Sequence, residues 1–273
     1  MNRALTRFAE RLPTKFSVKV KTDREIAIMR EGGQHLSDIL HKVSERVAPG
    51  VSTGTLDRLA RELIEQAGDK PAFLHYKPDW ANKPYPATLC VSVNDEVVHS
   101  IPGKRILEEG DIVGLDLGLS HKGLFVDMAL TLAVGAMSEA DERLMQTTKS
   151  ALSAGLGMVR TGVRLGDVGM AVQSVAEGAG FSIVRDLGGH GVGHKIHEAP
   201  FIGHFGPVGK GERLETGQTI CLEPMVNAGG PRVIFDQSNG YTVRTADGSR
   251  SAHYEVTLAV TERGADVLTH IFW

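Results

Sequence analysis

Two aspartates in an apolar hairpin are the first residues in this sequence whose type and spacing call for chemistry. The segment GDIVGLDLGLSHKGLFVDMALTLAVG, Gly110 to Gly135, holds two β-rich runs around Ser120-His121-Lys122-Gly123, which reads as a turn. With the turn centred between His121 and Lys122, Asp116 and Asp127 are equidistant from it. A simple antiparallel register then sets them opposite one another on one face, with Cβ atoms ~5 Å apart. Gly114 and Gly118 flank Asp116 and are expected to leave room beside its carboxylate, while Val113, Leu115 and Leu117 point the other way into a core. Carboxylates that close need cations or a shared proton, because like charges oppose joint ionisation.

Three further segments supply matching groups. LGGHGVGHKIHEAP, Leu187 to Pro200, brings His190, His194 and His197 in a glycine-rich stretch whose backbone can pass close to a ligand. TICLEPMVNAG puts Glu223 inside an otherwise apolar strand, with Pro224 holding it extended. SAHYEVTLAV alternates Tyr254, Val256 and Leu258 on one face with His253, Glu255 and Thr257 on the other. A buried, unpaired carboxylate costs several kcal/mol, so each of these acids needs a cation, a proton or strong donors. Asp116, Asp127, His190, Glu223 and Glu255 form an oxygen-rich set suited to two divalent first-row ions (Mn, Fe, Co or Zn) about 3.5 to 4 Å apart, with two carboxylates bridging. Structural zinc would instead favour cysteine and histidine. Such a pair of ions can bind a water, lower its pKa and polarise a peptide carbonyl.

The elements that must position these residues repeat. Gly50 to Gly68, GVSTGTLDRLARELIEQAG, and Gly162 to Gly180, GVRLGDVGMAVQSVAEGAG, align at an offset of 112, sharing Gly50, Val51, Gly54, Glu65, Ala67 and Gly68 with Gly162, Val163, Gly166, Glu177, Ala179 and Gly180. Each copy follows a longer helical stretch, roughly Asp23 to Val47 and Ser138 to Val159, and precedes a strand-rich region. The order helix, helix, strands, given twice with no Pro/Ser-rich linker, predicts an α/β (α+β) domain of two related halves whose strands share a sheet covered by helices.

Composition narrows the function classes. The 273 residues are 41% hydrophobic, enough for a sizeable core, and the net charge of -3 carries no footprint for nucleic acid or an anionic membrane. Cys90 and Cys221 stand far apart, which fits free thiols in a reducing compartment. No apolar run approaches the ~18 residues of a membrane span, so a cytoplasmic location is expected. Residues 1–16 are read as a basic extension, because Arg3, Arg7 and Arg11 lie four apart among Leu5, Phe8 and Leu12. A solvated helix is the plain reading of this segment; organelle targeting and a transient ribosome contact are the alternatives.

From about Ser17 to Thr269 the chain closely resembles the type I methionine aminopeptidases. The motifs are VSVNDEVVHSIP around His99, the aspartates eleven apart, GHGVGHKIHEAP, LEPMVNAG and SAHYEVTLAVT, all in family order. The resemblance implies the pita-bread fold, a pseudo-two-fold domain with an antiparallel sheet, here over residues 17–273. It also implies a monomer and a metalloaminopeptidase that removes the initiator methionine from nascent proteins. By the same carry-over Asp116 chelates one metal, Asp127 and Glu255 bridge, and His190 and Glu223 ligate the other. A water held between the metals attacks the carbonyl of the N-terminal methionine, and Glu223 takes its proton and passes it to the leaving amine. His197 donates to the oxyanion, and His99 contacts the substrate amide.

The methionine pocket departs from the family pattern. Cys90 and Tyr85 match, but Ile196 stands where a phenylalanine is common, Tyr241 where a tryptophan is common, and Asn82, in the PDWANKP loop, where an aromatic is often found. Strictness for methionine is therefore less determined than the chemistry, since a methylene of pocket contact changes selectivity by only ~1 to 3 kcal/mol.

The nearest rival is a proline-specific peptidase of the same fold, which shares the five ligands; LEPMVNAG, SAHYEVT and Cys90 before VSVNDEVVH favour methionine. A non-catalytic pita-bread protein should lack ligands or carry a basic patch. The Gly189-x-Gly191-x-Gly193 run lacks the last glycine of a dinucleotide fingerprint. A cysteine hydrolase using Cys90 and His99 would need an activated thiol, which nothing local marks.

Overall fold

The computed structural model describes residues 20–270 and 272, so the basic segment 1–16 lies outside the described residues. Helix α1, Asp23–Ser44, starts at a capping box in which the Glu25 N–H donates to Thr22 Oγ1 at 3.3 Å and the Thr22 N–H donates to Glu25 Oε2 at 2.8 Å. Met29, Leu36, Ile39, Leu40 and Val43 recur at helical spacing and are buried. Helix α2, Thr53–Gln66, is capped by Ser52 and buries Leu56, Ala60 and Ile64. Strands β1 (Lys70–Pro71), β2 (Leu89–Val93), β3 (Glu96–Val98), β4 (Ile112–His121) and β5 (Leu124–Ala133) follow. Strand β4 pairs with β5 along its whole length and with β2 and β1 on its other edge.

Helices α3 (Glu139–Met158) and α4 (Leu165–Gly178) open the second half, followed by β6 (Ser182–Ile183), β7 (Gly189–Gly191), β8 (Glu198–Ile202), β9 (Thr219–Leu222) and β10 (Met225–Asn227). Strands β11 (Val233–Phe235), β12 (Val243–Thr245), β13 (Ser251–His253), β14 (Val256–Val260) and β15 (Ala265–Val267) complete the described chain. A five-stranded sheet runs β15-β14-β9-β7-β8, and two three-stranded sheets run β13-β10-β6 and β11-β12-β3, with every pairing antiparallel.

The internal repeat is visible atom by atom. Gly50 N–H donates to Leu107 O and Gly162 N–H to Leu214 O, both at 2.8 Å; in return Leu107 N–H donates to Val51 O and Leu214 N–H to Val163 O, again at 2.8 Å. The glycines that open the two copies adopt φ of 88° and 87°, a conformation open to glycine without a Cβ clash. The two halves meet through the pairing of β3 with β12 and through the bridge Ala129↔Glu255, which links β5 to the start of β14.

The β4–β5 hairpin departs from the expected register. Its turn is the two-residue loop Lys122-Gly123, with φ of 49° and 86°, and His121 pairs with Leu124. Positive φ at both central residues is the primed turn whose twist matches the flanking strands. The centre therefore falls one residue later than the sequence suggested. Asp116 pairs with Ala129 and Asp127 with Gly118, so the aspartates are diagonal neighbours and not directly opposite. Because the slip changes the pairing by two residues, both still point to one face. Val113, Leu115 and Leu117 fill the other face at 0% exposure.

Candidate active site

A ladder broken at matching points builds the second half's contribution. Leu222 pairs with Val256 and Met225 with His253, in one continuous register, but the two residues between on each strand leave the ladder. Those gaps hold Glu223 and Glu255, so Glu223 lies at the end of β9 and not within a strand, with Pro224 unable to donate. Glu255 uses its freed backbone to bridge Ala129, the residue opposite Asp116. Glu223 N–H donates to the buried His204 Nε2 at 3.2 Å.

His190 reaches the same place from β7, where it pairs with Phe201 and Cys221. Its Nδ1 lies 2.9 Å from the Gly191 carbonyl, to which only a protonated Nδ1 can donate. That tautomer leaves the Nε2 lone pair toward Glu223 Oε1, 3.4 Å away. The neighbouring glycine has a tight reason: a Cβ on Gly189 would meet the Cys221 carbonyl oxygen at 2.3 Å.

The acids converge with few donors. Ligand atoms of Asp127, His190, Cys221 and Glu255 lie within 4.8 Å of one another, as do those of Glu223, His253 and Glu255. Asp116 joins them beside Asp127 and the thiol of Cys90, its partner in the β2–β4 register, both close enough to shift its ionisation. Asp116 Oδ1, Glu223 Oε1 and Glu255 Oε1 are buried without a hydrogen-bond partner, and no lysine or arginine pairs with these carboxylates among the described residues. Burial, and then the charge of Asp127, pushes Asp116 well above the usual carboxylate range. Burial pushes Asp127 up to about 7. Glu223 is raised well above its ordinary value by burial and by Asp116 and Asp127, and Glu255 by burial and by Asp127, Glu223 and Asp116. Each uncompensated buried charge costs several kcal/mol. Several together would exceed the ~5 to 15 kcal/mol by which a domain is stable, so protons or cations must neutralise the cluster. Carboxylate oxygens, one imidazole and orphaned lone pairs around a common point fit hard or borderline divalent ions.

The imidazoles around the cluster are kept neutral. Burial lowers His190 and His99 to about 4, with the charge of His190 adding to the effect on His99, and burial together with His190 and His99 takes His197 well below its ordinary value. His197 stands 4.5 Å from His190, ring to ring, and its Nδ1 is 3.0 Å from the Tyr76 hydroxyl. His99 adopts φ of 60°, an uncommon conformation for a residue other than glycine, directly after β3, and its Nδ1 is buried without a partner.

Of the remaining candidates, Cys90, Tyr85, Ile196 and Tyr241 are all buried. Burial and the charge of Asp116 raise the Cys90 thiol well above its ordinary value, the reverse of an activated nucleophile. A Cβ on Gly118 would meet Phe73 Cε1 at 2.9 Å and Ile196 Cδ1 at 3.1 Å, so Phe73 and Ile196 fill the space expected to stay open beside the carboxylates. Asn82 faces solvent. The aromatic that its loop turns inward is Trp80, which stacks on His99 at 6.3 Å and 27° and meets Tyr241 edge-on at 5.3 Å. His194 stays outside the cluster, its Nε2 2.7 Å from Glu25 of α1.

Sequence reading missed Trp80, Tyr76, Phe73 and His204, none of which has a periodic or motif signal. Thr257 could have been found. It shares the face of Glu255, and its hydroxyl accepts from the Asp127 N–H at 2.9 Å and donates to the Asp127 carbonyl at 2.8 Å, locking β5 to β14.

Comparison with known proteins identifies the family. Residues 27–262 match the profile of metallopeptidase family M24. Methionine aminopeptidase 1 of Bacillus subtilis (strain 168) is 41% identical over 251 residues, covering 92% of this chain and 98% of the relative. The crystal structure of methionine aminopeptidase from Rickettsia prowazekii superposes with a TM-score of 0.90 at 36% identity, covering 93% of this chain and 100% of that one. A prolidase from Pyrococcus furiosus superposes at 0.72 with 20% identity, covering 93% of this chain and 66% of its own, a likeness of fold alone. The architecture is the pita-bread fold of these enzymes. The chain thus belongs to metallopeptidase family M24, among its methionine aminopeptidases, the hydrolases that remove N-terminal methionine.

Proposed function

We propose that this chain cleaves after the initiator methionine of nascent proteins with two divalent ions (Mn, Fe, Co or Zn) held by Asp116, Asp127, His190, Glu223 and Glu255. Asp116 would hold one ion, His190 and Glu223 the other, and Asp127 and Glu255 would serve both. The observation that carries this reading is the convergence of four buried carboxylates from both halves of the fold, three with an orphaned oxygen. Bound there, divalent ions neutralise the acids, activate a water and polarise the scissile carbonyl.

The protein's own groups do the rest. Glu223, with one oxygen free of hydrogen bonds, takes a proton from the attacking water and delivers it to the leaving amine. A Tyr76 hydroxyl donating to Nδ1 of His197 leaves the proton on Nε2, ready to donate to the oxyanion. His99, backed by Trp80, contacts the substrate amide. Cys90, Tyr85, Ile196 and Tyr241 form the pocket for the methionine side chain.

Residues 17–273 act as one catalytic unit and as a monomer in the cytoplasm on this reading. The family match over 27–262, the two reduced cysteines and the small net charge support it. No helix among the described residues is long and apolar enough to cross a membrane. Ribosome contact through segment 1–16 rests on Arg3, Arg7 and Arg11 alone and is tested by co-sedimentation with and without that segment.

The deciding experiment follows cleavage of Met-Gly-Met-Met and of an Xaa-Pro peptide by mass spectrometry, first with metal-free protein and then with Mn(II) or Co(II). Metal-dependent release of methionine alone is expected. Cleavage of the Xaa-Pro peptide alone would move the chain to the proline-specific branch, and metal-independent cleavage would overturn the ligand assignment.

A further inference from the structure

A second group of potential ligands lies on the outer side of the first half. His35 projects from α1, Asp69 follows α2, and His121 ends β4. The pairing Lys70↔Ser120, continued by one residue, sets Asp69 opposite His121, and β4 therefore carries His121 five residues from Asp116, about 17 Å along the strand. The backbone fixes all three. Asp69 N–H donates to Ile64 O at 3.1 Å, and α1 packs so closely that a Cβ on Gly32 would meet His121 Cβ at 2.7 Å.

The side chains converge on one carboxylate. His35 Nδ1 lies 2.8 Å from Asp69 Oδ2 and His121 Nδ1 2.7 Å from Asp69 Oδ1, with the rings nearly perpendicular. One ligand atom from each residue falls within 4.8 Å of the others. The far nitrogen of His121, Nε2, is buried and makes no hydrogen bond, although Glu31 Oε2 stands 3.2 Å away. Lys122 Nζ is 2.6 Å from the same oxygen and holds Glu31 below the usual carboxylate range.

This arrangement leaves the neutral form of His121 in conflict. If Nδ1–H donates to Asp69, the Nε2 lone pair faces the Glu31 carboxylate, acceptor against acceptor. A cation bound by the two Nδ1 atoms and an Asp69 oxygen resolves this, because the proton then resides on Nε2 and points at Glu31, the usual outer carboxylate partner of a metal-bound histidine. We propose that His35, Asp69 and His121 form a second metal site, separate from the catalytic cluster, for a borderline divalent ion of the zinc class. Two imidazoles and a carboxylate select against Mg(II) and Ca(II), which prefer all-oxygen shells, and leave a fourth position for water. The ion would tie α1, the end of α2 and the tip of the β4–β5 hairpin together.

The test is Zn(II) stoichiometry by equilibrium dialysis and elemental analysis on the full chain, stripped of metal and reloaded, for wild type, His35→Ala and Asp69→Asn. A second background, Asp127→Asn with Glu255→Gln, removes catalytic ligands. The expected result is a loss of one equivalent in His35→Ala and in Asp69→Asn with peptidase activity kept. In the second background one equivalent should survive and vanish on adding His35→Ala. With Co(II), the same background should show the visible bands of a four-coordinate ion. Equal stoichiometry in wild type and His35→Ala, both folded by circular dichroism, would overturn the site and leave His35, Asp69 and His121 as a hydrogen-bonded strut. Should the second background keep its full metal load, the catalytic assignment fails, while the His35→Ala comparison still decides this one.

Discussion

Glu223 and Glu255 face each other across a gap in an antiparallel ladder, flanked by the pairs Leu222↔Val256 and Met225↔His253. The direct opposition expected of Asp116 and Asp127 is thus realised by the two glutamates, while the aspartates sit diagonally on the neighbouring hairpin. Leaving the ladder lets Glu255 bridge Ala129 of the hairpin instead, and both carboxyls lie in the cluster. Glu223→Gln, which keeps shape but cannot shuttle a proton, should lower kcat by about 10²- to 10⁴-fold. Glu255→Gln should lower the bound metal as well. Full activity in metal-loaded Glu223→Gln, checked by elemental analysis, would rule out the proton-shuttle role.

Tyr76 acts on the reaction through His197. Removing its hydroxyl forfeits one hydrogen bond worth about 1 kcal/mol, so Tyr76→Phe should lower kcat roughly 5- to 10-fold. KM and metal content should stay close to wild type. His197→Ala should cost about 10²- to 10³-fold, as loss of an oxyanion donor does. A change confined to KM in Tyr76→Phe would show that the tyrosine merely lines the pocket.

Trp80 closes the site over His99 and Tyr241. Trp80→Ala should raise KM for short peptides by about 10-fold or more, the effect of ~1 to 3 kcal/mol of lost contact, with metal content unchanged. An unaltered KM across peptides of different second residue would remove Trp80 from the binding wall.

Cys90 is a buried thiol whose ionisation is opposed by burial and by Asp116. Cys90→Ser should retain turnover within about 10-fold, since a hydroxyl can still donate to Asp116. Complete loss of activity, with metal retained, would revive the nucleophile reading.

Metal binding should release protons from carboxyls and not from histidines. Asp127, ordinarily at 3.8 and here at about 7, holds a proton in the folded, metal-free protein across that window, so its presence lowers stability as pH rises from about 4 to 7. His190, lowered to about 4, is already neutral there and has the opposite slope. Calorimetry at about pH 6 in buffers of different ionisation enthalpy should therefore show proton release on Mn(II) binding, with the share of Asp127 shrinking by about pH 8. Absence of release at the lower pH would contradict the shared protonation of this cluster.

The sequence by itself determined the helices, the repeat and the identity of the acids, because apolar periodicity and glycine positions are local properties. The 112-residue offset between the copies returns as matched hydrogen bonds at Gly50 and Gly162. Register was beyond it. The choice of Lys122-Gly123 as the loop depends on which two residues take positive φ, and a one-residue error there moves Asp127 from facing Asp116 to facing Gly118. The interruptions at Glu223 and Glu255 were hidden too, since each lies in a run that reads as strand on both sides. Trp80 over His99 and Tyr76 beside His197 were decided by tertiary structure alone. Tyr76 and His197 are 121 residues apart and meet only because both halves pack around one cluster of charge. Contacts between distant segments follow from how packed surfaces come together, and no local pattern encodes them.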